Sequence, residues 1–150
     1  MISFTLTLKG VSTVLNWKVK QVKRLTNLTV PLKQIAKEWY ALEQQWFNSE
    51  GGGRWVPLSP SYAAYKATAA PGKPLLRFTD KMYKEFTGQP GHYDLTSTSL
   101  QIYVLGVPYW VEHEDGFPAT HLPQRKVIAP WMTDKIDSWH LLISRHLVGR

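Results

Sequence analysis

The chain is 150 residues long, 43% hydrophobic and 19% charged, with no cysteine and a formal net charge of +7. That length and balance suit a single globular domain spanning 1–150 and exclude a disordered or membrane-embedded chain; the lack of cysteine excludes disulfides, thiolate metal sites and a cysteine nucleophile. The charge is segregated: Lys9, Lys18, Lys20, Lys23, Arg24, Lys33 and Lys37 face no acid before residue 38, while the remainder balances eleven basic against eleven acidic side chains.

Ile2, Phe4, Leu6 and Leu8 alternate with Ser3, Thr5 and Thr7, which predicts a half-buried strand. This start lacks the basic opening and continuous apolar run of a signal peptide, and no window approaches the ~20 apolar residues of a membrane helix, so a soluble, unsecreted protein is expected. Leu15, Val19, Val22 and Leu25 then recur at helical spacing, with Lys18, Lys20, Lys23 and Arg24 mostly turned elsewhere. Thr29 and Pro31 predict a helix start, a capping hydroxyl followed by a first-turn proline. Leu32, Ile35, Ala36, Trp39, Leu42, Trp46 and Phe47 form one apolar stripe along that helix.

Asn48 to Gly53 ends it with residues that tolerate left-handed backbone. Residues 54–74 contain Pro57, Pro60, Pro71, Gly72 and Pro74 and predict a long central loop holding a helical turn at 62–66. Such a loop inside a domain usually has a function of its own. Thr79 is placed to cap a short helix carrying Met82, Tyr83 and Phe86. A hairpin follows, its turn near 97–99 and its second strand marked by Leu100, Ile102 and Val104. Residues 107–116 suit a short helix or an irregular link, and 125–129 a last strand stopped by Pro130. Thr133 heads a final helix with Ile136, Trp139, Ile143 and Leu147 on its core face. The order implies an α+β fold, a small mainly antiparallel sheet packed against long helices.

A search for chemistry finds no active site. His113, Glu114, Asp115 and His121 are close in sequence, but no second histidine follows four residues after the first to put two metal ligands on one helix face. Gly51 to Gly53 follows a helix, whereas a phosphate loop leads into one. No nucleophile elbow occurs, and the glutamates show no acid–base spacing. A non-enzymatic protein without metal or cofactor is expected. Lys18, Lys20, Lys23 and Arg24 are the candidate contacts for nucleic acid, a salt-sensitive interaction, and give a second reading as a small basic nucleic-acid-binding module. Trp55 and Trp110, in loops, are candidate interface anchors, since tryptophan and arginine dominate interface energetics.

Six segments in order carry a resemblance: Phe47 through the glycine turn to Trp55-Val-Pro-Leu58-Ser-Pro60, Tyr62 to Lys66, Leu76-Arg-Phe-Thr-Asp-Lys-Met82, Pro108-Tyr-Trp110, His113-Glu-Asp-Gly116 and Pro123-Gln-Arg125. Together they resemble the virion morphogenesis (tail completion) family of Mu-like and P2-like tailed phages over roughly 30–148. Departures are Asp80 at the usual glycine, Met82 at the leucine and Trp110 at the small residue after the tyrosine. The resemblance implies a structural neck or tail-terminator subunit that completes the tail and joins it to the head, found in the virion and in the host cytoplasm during assembly. Its expected partners are further copies in a ring, often of six, the tail tube protein and the head connector proteins, with DNA passing through the channel and no membrane. Arg54, Trp55, Arg77, Tyr109, Trp110, His113 and Arg125 are the expected interface residues.

Overall fold

A computed structural model describes residues 26–130 and 132–149. The strand expected at 2–8, the helix after Gly10 and the basic residues Lys18, Lys20, Lys23 and Arg24 lie outside the described residues. The described chain is α+β: helices α1 (Thr29–Asn48), α2 (Pro60–Ala69) and α3 (Lys81–Phe86), a hairpin of β1 (His92–Leu95) and β2 (Leu100–Tyr103), then α4 (Trp110–Asp115) and α5 (Met132–Val148). It divides into two compact units, one comprising 26–39, 92–103 and 132–149, the other 40–91 and 104–130.

In the first unit, the start of α1 is set by Asn27 rather than by Thr29. The Asn27 carboxamide oxygen accepts the Thr29 N–H at 3.0 Å and also meets the Thr29 hydroxyl. Leu32, Ile35, Ala36 and Trp39 are buried, as the apolar stripe requires. The hairpin is antiparallel with Leu95 opposite Leu100, and Leu100 and Ile102 point inward with period two. Its turn closes on Thr96, whose hydroxyl accepts the Ser99 N–H at 2.9 Å. The Leu28 N–H reaches Ser97 O at 2.6 Å, the Trp139 indole donates to Glu38 at 2.9 Å, and the His146 ring lies 2.9 Å from Asn27 O. Of the core face expected on α5, Ile143 is buried and Trp139 and Leu147 half-buried, but Ile136 is exposed.

The second unit is built on aromatic side chains. Phe47 is wholly buried and meets Trp55, Tyr83 and Phe86 at centroid separations of 5.3, 5.8 and 5.8 Å, and Phe86 meets Trp110 edge-on at 6.0 Å. Gly51, Gly52 and Gly53 all have positive φ, so the turn after α1 uses the left-handed backbone that glycine adopts without a Cβ penalty. The helical turn expected at 62–66 is longer, Pro60–Ala69, with Pro60 in its first turn and the Ser59 hydroxyl accepting from Tyr62 N.

The strand expected at 125–129 does not form. Three of its amides go to side-chain carboxyl groups instead of a neighbouring strand: Glu114 accepts the Val127 and Ile128 N–H groups at 2.6 and 3.1 Å, and Glu43 accepts that of Ala129 at 3.0 Å. Every buried N–H needs a partner, and a side-chain acceptor meets that need as well as a ladder does. No described helix is long and apolar enough to cross a membrane.

Candidate functional site: a cationic cleft

The second unit contains a cleft of about 810 Å³. The loop 57–59, α2, the turn 76–79, Met82 of α3, Tyr109 and His113 at α4, and the segment 120–125 form its walls.

Local geometry places each wall. Leu76 and Asp80 both have positive φ, at 56° and 59°, which folds the 76–80 turn tightly. Asp80 anchors that turn through an ion pair with Lys73 and another with Arg77 Nε at 2.8 Å. Those two bonds, Lys73 first, hold its carboxyl below the usual aspartate range. The Arg77 guanidinium also lies 3.7 Å over the Tyr83 ring, and Phe78 stacks on Tyr65 with planes 12° apart. On the opposite side, Gly116 (φ 76°) ends α4, and Phe117 pairs with Leu122.

Two buried cations face the cleft. Lys66, 7% exposed, donates from Nζ to Pro74 O. Arg125, 4% exposed, donates from Nε to Val56 O at 2.7 Å and from Nη2 to Pro57 O at 3.2 Å, while its own N–H meets His113 O at 2.7 Å. Arg125 thus ties three separate segments together. Burial lowers the Lys66 pKa, with the Glu50 charge opposing, the Arg125 charge adding to the fall and the Asp80 charge opposing more weakly; burial alone lowers that of Arg125. His113 lines the same cleft; its Nδ1 is buried and has no hydrogen-bond partner among the described residues. Burial first, then Arg125, lowers its pKa and favours the neutral imidazole. Among the described residues that line the cleft there is no carboxylate.

No family model, curated protein or solved structure matches the chain.

The expected interface residues scatter. Tyr109, His113 and Arg125 meet at the cleft. Trp55 and Trp110 do not serve as exposed anchors: they are 5% and 8% exposed and belong to the aromatic core. They lie outside the helical stripes read in the sequence, yet the glycine turn folds Trp55 back onto Phe47, and Trp110 opens α4 against Phe86. Arg77 is engaged by Asp80 and Tyr83, and Arg54 is exposed but outside the cleft. His113 and His121 share the cleft, but Glu114 is committed to backbone amides and to Lys126 at 3.2 Å; no metal-ligating cluster of three occurs among the described residues. What the arrangement offers chemically is cationic and donor-rich binding. Sequence reasoning missed Lys66 as a site residue, although it is the lone cation on a helix otherwise made of proline, alanine, tyrosine and small polar residues.

Proposed function

We propose that the chain is a non-enzymatic structural subunit of a tailed bacteriophage, acting at the junction of tail and head, with the cationic cleft as its docking surface. One observation carries this reading: all six segments of the tail-completion resemblance contribute to the cleft. Pro57 and Leu58, Tyr62 and Lys66, Leu76 and Phe78, Tyr109, His113, and Pro123 with Arg125 come from the stretches 57–66, 76–78 and 109–125 and line one surface. That convergence is what a shared docking surface requires and supports the reading.

Asp80 adds support. It occupies the glycine position of the resembled pattern and holds φ at 59°, a conformation that glycine favours. The partners that follow from this reading are other copies in a ring, the tail tube and the head connector. A ring uses head-to-tail contacts in which one patch meets a different patch on the next copy, and a concave cleft is one half of such a pair.

Light scattering and negative-stain microscopy of the purified chain, with and without tail tubes of the same phage, test the proposal. Rings, or incorporation at tube ends, are expected. Strict monomers that never join tubes would overturn it.

A further inference from the structure

Resting on the docking role given to the cleft above, we propose that it is a carboxylate-binding groove that takes an acidic peptide segment of a partner protein, with apolar side chains flanking the acid. The cations come first. Lys66 and Arg125 are both more than nine-tenths buried, and neither has a carboxylate within ion-pair distance among the described residues. Their hydrogen-bond partners are backbone carbonyls of Pro74, Val56 and Pro57, which carry partial charge only. Glu50 and, more weakly, Asp80 act on Lys66 electrostatically, but the Glu50 carboxylate accepts the Leu75 N–H at 2.9 Å and that of Asp80 is paired with Lys73 and Arg77. Two like charges held together in a concave, partly desolvated wall favour an incoming anion.

Donors are left over to meet it. An ammonium has three N–H bonds and a guanidinium five. Lys66 uses one of these on Pro74 and Arg125 uses two on the 56–57 carbonyls, which leaves donors on both groups.

The rest of the wall selects a peptide over a small anion. Leu76, Phe78 and Met82 line the cleft beside the cations, and Tyr62, 46% exposed, stands at its rim. A volume of about 810 Å³ holds several side chains, where a lone phosphate would leave that apolar surface wet.

The test uses the purified full chain and a fluorescently labelled peptide of about eight residues, amidated at its C-terminus, with two aspartates beside leucine and phenylalanine. Its twin replaces both aspartates with asparagine. Fluorescence polarisation is expected to show the acidic peptide binding at least about tenfold more tightly, with the gap narrowing as salt rises from about 50 to about 500 mM. Lys66→Met is expected to abolish the discrimination and Lys66→Arg to retain it, with circular dichroism melts showing that both variants fold. Should Lys66→Met not fold, Tyr62→Ser at the exposed rim replaces it, expected to weaken the acidic peptide severalfold.

Equal affinity for the two peptides would overturn the proposal. So would discrimination that survives Lys66→Met, or inorganic phosphate that binds in the cleft as tightly as the acidic peptide. Ring formation and joining to tubes are read separately. Assembly without peptide discrimination removes the groove chemistry and leaves the proposed function. Discrimination by a chain that never assembles does the reverse.

Discussion

Trp46 and Trp55 donate their indole N–H groups to the same acceptor, the Lys126 carbonyl oxygen, each at 2.7 Å. A carbonyl has two lone pairs, so one oxygen satisfies both rings. The rings stand edge to face, 6.4 Å apart. This single carbonyl joins α1, the glycine turn and the 125–129 segment. Trp55→Phe keeps most of the aromatic packing and removes one donor. It is expected to cost about 1–2 kcal/mol, the loss of a part-buried hydrogen bond together with some volume. Urea unfolding should show a lower midpoint at an unchanged slope.

The turn that delivers Trp55 depends on Gly51. Its φ is +71°, and a Cβ built there would run into the Trp55 indole. Gly51→Ala combines a left-handed backbone penalty with a clash against a buried ring that cannot move without breaking its bond to Lys126 O. A loss on the order of 3 kcal/mol is expected in the same urea assay. Gly53→Ala makes the control: φ is also positive, at +74°, but nothing lies within 4 Å of the added atom, so only about 1 kcal/mol should be lost.

What could be read from the sequence follows from the range of the interactions involved. Helix α1 was legible because its apolar stripe and its glycine stop are local. The hairpin was legible because alternation and turn chemistry sit within a dozen residues. Residues 125–129 look like a strand for the same local reasons, yet their amide partners, Glu43 and Glu114, come from elsewhere in the chain. Glu43 hides well in a helix: it follows Leu42 of the expected stripe, but Glu43 is fully buried and Leu42 only half so. Lys66 and Arg125 were similarly opaque as buried cations, because burial of a charge is set by carbonyls that only the folded loop brings near.

Glu43 makes the stability depend on pH. Burial pushes its pKa from 4.5 up to about 8, with the Ala129 N–H opposing and the Glu114 charge adding to the rise. The folded chain therefore keeps a proton that the unfolded chain releases between about 4.5 and 8. Stability contributed here is present below 4.5, falls as pH rises through that window, and is flat above it. Glu43→Gln retains an acceptor for Ala129 and does not titrate. The variant is expected to match the parent at pH ~5 and to exceed it at pH ~8.5 by a margin on the order of 3 kcal/mol. The lowered pKa of His113 is common to both proteins and cancels in the difference. Parallel stability curves from pH 5 to 8.5 would show that Glu43 ionises without cost.

Asp80 sets backbone strain against charge. Its φ of 59° disfavours a residue with a Cβ, whereas its carboxylate is bonded to Lys73 and Arg77 and so fixes the 76–80 turn at the edge of the cleft. Asp80→Gly removes both the strain and the ion pairs; Asp80→Ala removes the ion pairs and keeps the strain. The alanine variant is therefore expected to be the less stable of the two by about 1 kcal/mol, measured by urea unfolding. Both variants also lose what the lowered Asp80 pKa contributes: stability that is present above its ordinary value of 3.8 and lost as pH falls through the depressed one. Their deficit against the parent should therefore shrink on acidification. An alanine variant as stable as the glycine variant would mean that the turn relaxes out of the left-handed region once its ion pairs are gone. Lys73 and Arg77, not the backbone, would then hold this wall of the cleft in place.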